Sequence, residues 1–167
     1  MVLMKYFENF KLFPTYDYKF KLLDNENDSI ERLNRRTEHS DKLVSKMTDK
    51  SFIGKVDNNK FKIITSEIGK GAVWVMDGYI SNEKCEVNMV LNYPFRVMFS
   101  ILLCFPVIGF IVQLFTEADF SLIVMVLLGM IGQLLIIRYV ILDFVFKKFA
   151  RTSLYKLRDV VDFELIG

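Results

Sequence analysis

Two long apolar runs dominate the pattern of hydrophobic and polar positions. Residues 97–115 (VMFSILLCFPVIGFIVQLF) and 120–137 (FSLIVMVLLGMIGQLLII) hold no charged side chain, and only Thr116-Glu117-Ala118-Asp119 separates them. Each run is long enough to cross a hydrocarbon core of about 30 Å at a 1.5 Å rise per residue. A connection that short forces two helices to lie antiparallel. A soluble domain of this size could hardly cover two wholly apolar helices. The pattern therefore predicts a transmembrane hairpin over 95–146, with helices at 97–115 and 120–138 and a loop at 116–119.

Before the hairpin the pattern changes to short alternating segments. Residues 6–23 are rich in aromatics, and Tyr16, Tyr18, Phe20 and Leu22 alternate with Asp17, Lys19 and Lys21, which is a strand signature with Pro14 as a break. A polar turn at 24–28 leads to Ser29, a candidate cap for a helix over about 29–47 on which Ile30, Leu33, Val44 and Met47 follow helical spacing. Residues 52–56 and 60–64 flank Asp57-Asn58-Asn59 and predict a β-hairpin. Two further strands follow over 72–80 and 84–91, the second with Cys85, Val87, Met89 and Leu91 on one face. The fold class expected is an α+β membrane protein. An antiparallel β meander or partial barrel with one or two helices fills residues 1–94 and runs through Asn92-Tyr93-Pro94 into the hairpin. Residues 147–167 predict a C-terminal helix whose stripe of Phe149, Leu154, Leu157, Val160, Val161 and Leu165 packs on the sheet or lies among headgroups.

Charge gives the hairpin a direction. The net charge of the 167 residues is only +2, which argues for no polyanionic partner and against DNA or RNA. Its distribution is uneven, with Glu117 and Asp119 in the loop against Arg96, Lys147, Lys148, Arg151, Lys156 and Arg158 on the outer flanks. The positive-inside rule then places both termini in the cytosol and the loop outside. No basic region followed by an apolar core opens the chain, so residues 1–94 are expected to stay cytosolic, as part of a multi-pass protein of a bacterial inner membrane. Arg138 marks the inner headgroup level, where its stem can snorkel.

Within the membrane, Pro106 leaves the Leu102 carbonyl without its helical donor. Counting outward from the loop puts Gln133 at the depth of Leu102, so Gln133 either donates to that carbonyl or faces a second copy of the chain. Gly129 and Gly132 form a small-residue face, as do Ser100 and Cys104. The run holds no carboxylate relay of the kind that couples ions to transport.

Chemistry is sparse. His39 is the one histidine, and neither Cys85 nor Cys104 has an evident base, so no nucleophilic triad or metal cluster suggests itself and the chain is not expected to be an enzyme or to carry a cofactor. Gly69-x-Gly71 is too short for a phosphate loop. Arg35, Arg36, Lys60, Lys62, Trp74 and Tyr79 supply the cations and aromatic faces that a nucleotide ligand would use, or else are core aromatics and solvated cations.

Phe52-x-Gly54-x-Val56, Phe61-x-Ile63 and Gly78-x-Ile80, leading into a hairpin of apolar helices, resemble small bacterial two-transmembrane proteins over about 52–149. The architecture is similar to the two-transmembrane β-barrel effectors of cyclic-nucleotide antiphage defence systems. That resemblance implies a cytosolic β-barrel sensing a cyclic nucleotide and a membrane hairpin that assembles as a homo-oligomer to damage the inner membrane. It carries over no binding residue. The alternative expectation is a non-toxic envelope scaffold or immunity protein that binds a protein partner through its sheet.

Overall fold

The computed structural model describes residues 13–69, 71–81, 84–115 and 120–165, leaving the expected loop at 116–119 and the start of the first strand at 6–12 outside the described residues. The chain divides into two compact units. One joins Pro14–Asn92 to Lys148–Gly167, and the other holds Met1–Phe13 and Tyr93–Lys147.

The first unit is an α+β domain. Its strands are β1 (Thr15–Leu22), β2 (Thr37–His39), β3 (Phe52–Asp57), β4 (Lys60–Thr65), β5 (Trp74–Ser81), β6 (Lys84–Leu91) and β7 (Phe163–Leu165), in one seven-stranded sheet of order β2-β3-β4-β5-β6-β1-β7. Helix α1 (Glu26–Arg36) belongs to this unit, as does most of the C-terminal helix α4 (Phe146–Val161). β2 runs parallel to β3 and the other pairings are antiparallel, so the sheet is mixed rather than a pure meander. It is also open rather than a barrel. Leu33 of α1 and Leu157 and Val161 of α4 are fully buried, and the two helices meet where Ser29 Oγ donates to the Val161 carbonyl at 3.2 Å. Helices thus supply the cover that closure into a barrel would otherwise provide. Both edges are only three residues long, which limits the ladder left open to other chains.

Alternation sorts the strands into an inner and an outer face. Phe20, Phe61, Ile63, Met76, Cys85 and Met89 face inward and are at most 2 % exposed. Gly78 on β5 lies opposite Phe61 on β4, and a side chain there would occupy the space taken by the Phe61 ring. The outer face is polar over most of its length, with Lys19 paired to Glu86 at 2.8 Å. At one end it is apolar, where Ile53, Ile64 and Val75 form a second core under Leu43, Ala72 and Val90.

Three segments differ from the sequence expectation. The helix expected over 29–47 starts earlier and stops at Arg36, where Thr37 turns extended and its Oγ1 donates back to the Leu33 carbonyl at 2.7 Å. Acidic Glu26 and Asp28 in its first turn and basic Arg35 and Arg36 in its last suit the helix dipole. Val44 and Met47 had suggested a longer helix, but both are exposed and no apolar stripe carries the helix past Leu33. The strand expected from residue 72 begins at Trp74, after a 3₁₀ turn at Gly71–Val73. The C-terminal helix ends at Val161 because Asp162 adopts a left-handed conformation (φ 52°), after which β7 joins β1 and sets the Phe163 ring 4.0 Å from that of Phe20.

The second unit contains two long apolar helical segments. Helix α2 (Tyr93–Phe115) carries Pro106 inside it, and helix α3 (Phe120–Leu135) passes into a π-helical segment (Ile136–Val145) before α4. The helical backbone is continuous from Phe120 to Val161, 42 residues. Phe99 of α2 meets Phe146 edge to face, with centroids 5.4 Å apart.

Candidate functional site

The apolar helices are mostly exposed. Only 11 % of the most apolar window of α2 and 6 % of that of the longer helix are buried, and no residue of α3 is buried. The core helix of a soluble protein shows the opposite.

Pro106 has no N–H, so the Leu102 carbonyl lacks its helical donor. Gln133 Nε2 on α3 donates to that oxygen at 3.5 Å, a long hydrogen bond that joins the two helices. A β-carbon built on Gly129 or Gly132 meets nothing within 4 Å among the described residues, so this small-residue face is not used for packing α3 on α2.

The π segment brings together two charges that an α-helix would separate. Residues five apart lie about 140° apart around an α-helix, on different faces. With the wider turn, Arg138 Nη1 reaches Asp143 Oδ1 at 2.6 Å, and both side chains are partly exposed. Sequence reasoning placed Arg138 at a headgroup level and missed Asp143, because i,i+5 pairing has no place in α-helical counting. Changing Arg138 to Leu alone is expected to destabilise the chain in micelles by about 1 kcal/mol, because it removes the partner of a partly exposed carboxylate. Changing Arg138 and Asp143 to Leu together should restore most of the loss. Thermal unfolding of the full chain measures both, and a double variant no more stable than the single one would sink this account.

On the sheet, the six candidate ligand residues do not form one site. Lys60 and Tyr79 are cross-strand partners, and Lys62 opposite Asp77 lies one step further along the same outer face. Lys60, Tyr79 and Asp77, with Asp17, Glu86 and Asn88, surround an open recess of about 630 Å³, which Lys62 does not line. Lys62 Nζ approaches Asp77 at 4.0 Å, so one cation already has a counter-charge. Trp74 lies on the other face, fully buried, with its ring 5.4 Å from that of Tyr16. Arg35 and Arg36 end α1, where the Arg36 carbonyl accepts from Ser51 N at the start of β3, at the opposite end of β3 from Lys60.

Asn92 is a structural residue that sequence reasoning passed over. It is the last residue before α2, and its Nδ2 donates to the Leu43 carbonyl at 3.0 Å and to the Ala72 carbonyl at 2.8 Å. Its own N–H donates to the Val73 carbonyl at 2.9 Å, so the end of β6 is tied to two loops at once. The only sequence signal was an Asn between a strand and an apolar helix. Compared with protein-family models, with curated proteins and with solved structures, the chain matches none.

Proposed function

We propose that the chain is a membrane effector in which the sheet domain senses a signal and acts on a transmembrane hairpin made by α2 and α3. One observation carries the reading: the sheet domain is built from chain on both sides of the hairpin. Leu23 N donates to the Asp162 carbonyl at 3.0 Å, and β7 pairs with β1, so segments made before and after the apolar helices share one fold. Both ends of the hairpin are then on one side of the bilayer, as the acidic loop and basic flanks also require. A rearrangement of the sheet reaches α2 through Asn92 and α3 through the continuous helix.

In this reading the hairpin self-associates in a bacterial inner membrane and disrupts it, as part of antiphage defence. The outer recess around Lys60 and Tyr79 is where a cyclic nucleotide would stack and pair with a cation. Expression is expected to depolarise cells, read with a membrane-potential dye, and Gln133→Leu should relieve the effect. A panel of cyclic dinucleotides should change the response. Unchanged potential with every nucleotide tested would overturn the reading. The polar outer face also favours a second one, a non-toxic scaffold that holds a protein partner. Harmless expression with a stoichiometric partner co-purifying on that face would establish it instead.

A further inference from the structure

The strand register fixes which loops lie at the end of the sheet where the chain enters α2. β6 finishes at Leu91 beside Trp74, the start of β5. Thr65 at the end of β4 lies opposite Phe52 at the start of β3, and Thr37 at the start of β2 lies beside Phe52 in turn. Arg35 and Arg36 are therefore at this end. So is the 42–50 loop, because Leu43 is held by Asn92, Ser45 Oγ donates to the Glu67 carbonyl at 3.4 Å, and Lys50 Nζ donates to the Arg35 carbonyl at 2.6 Å.

This end combines exposed apolar tips with unpaired cations. Met47 is 88 % exposed, Ile68 63 % and Val44 59 %. The acids nearby are largely neutralised within the domain: Glu38 pairs with Lys46, Asp41 with Lys55 at 2.5 Å and Glu67 with Lys156 at 3.5 Å, leaving Asp49 and, one turn before Arg35 on α1, Glu31. Arg35, Arg36 and Lys42 make no ion pair among the described residues. Asn92, which anchors the loop, is followed directly by Tyr93, the first residue of a helix long and apolar enough to enter a bilayer.

We infer that this end of the sheet is a docking surface for anionic lipid headgroups, with Met47, Ile68 and Val44 entering the interface and Arg35, Arg36 and Lys42 meeting lipid phosphates. The inference rests on the hairpin spanning the membrane. Apolar tips flanked by cations match a negatively charged interface on both counts, and a polar protein surface on only one. The loop lies at the point where the chain passes into α2, so a headgroup layer around that helix is within its reach by connectivity alone.

The test uses the full chain reconstituted in vesicles of phosphatidylcholine with or without phosphatidylglycerol. Met47→Trp adds a reporter to a protein whose own Trp74 is buried, so the wild type serves as the blank. Brominated lipid is expected to quench the variant roughly twofold more than the wild type when phosphatidylglycerol is present. Arg35→Glu with Arg36→Glu, or high salt, should remove most of the difference. Equal quenching of variant and wild type, in protein that resists carbonate extraction, overturns the docking surface alone. Release of the protein by carbonate overturns the transmembrane reading and this one with it. Quenching that ignores phosphatidylglycerol overturns the role given to the cations.

Discussion

Replacing Gly54 with valine is expected to unfold the sheet domain at far lower urea than the wild type, a loss of about 4 kcal/mol or more. Gly54 has φ 149°, a conformation that side-chain-bearing residues rarely adopt. Any β-carbon there would also run into the Lys62 carbonyl and the Ile63 backbone of the neighbouring strand. Backbone cannot swing aside as a side-chain tip can, so β3 and β4 would have to part, with β2 attached to β3 on the other side. Gly78→Ala is the calibrating variant. There the obstruction is the far edge of the Phe61 ring, which can shift within the core, so the loss should be smaller, about 1–3 kcal/mol. Fluorescence of the buried Trp74 follows both transitions in the full chain in detergent. A Gly54→Val midpoint no lower than that of Gly78→Ala would sink the argument.

Cys85 is expected to react with iodoacetamide about a thousandfold more slowly in the folded chain than in urea, in a Cys104→Ala background at pH 8. Burial on the inner face, with the Glu86 charge adding to it, pushes the thiol up from an ordinary 9.0 to about 12. Only the thiolate reacts, so each unit of the shift removes a factor of ten. The same shift sets a pH window for stability. Below pH 9 the thiol is protonated in both states and contributes no pH dependence. Between pH 9 and 12 the unfolded chain releases this proton and the folded chain keeps it, so stability falls as pH rises. Cys85→Ala should flatten that part of the decline. Native alkylation within tenfold of the urea rate would show that the thiol is not held as the structure has it.

Several parts of the fold were legible because local alternation carried them. Cys85, Val87, Met89 and Leu91 shared a face in the sequence, and all four are at most 2 % exposed. β2 was not legible. Three residues show no period, and its parallel pairing with β3 is set by a connection that no nearby residue signals. β7 is equally short, and its pairing with β1 joins opposite ends of the chain. Trp74 could not be sorted by alternation, because Leu43 and Ala72 cover the outer face at that end and Val75 is buried as well. An aromatic named as a ligand candidate therefore belongs to the core. Lys60 and Tyr79 could be placed together only by register, which fixes them as direct cross-strand partners. In the hairpin, counting depth from the loop sets Gln133 level with Leu102, and the structure puts its amide 3.5 Å from that carbonyl. The Arg138–Asp143 pair needed the π register, which the sequence does not announce.

The return of β7 to β1 orders events in time. A ribosome makes β1 through β6 first, then both apolar helices, and only at the end the residues of α4 and β7. While synthesis is under way, Phe20 waits without Phe163, and the inner face of the sheet lacks the buried positions Leu157 and Val161. The domain can be completed only once the apolar helices have left the ribosome and their two ends lie together. A finished sheet is thus a record that the apolar helices were made first, and an unfinished one leaves greasy surface open to chaperones and proteases.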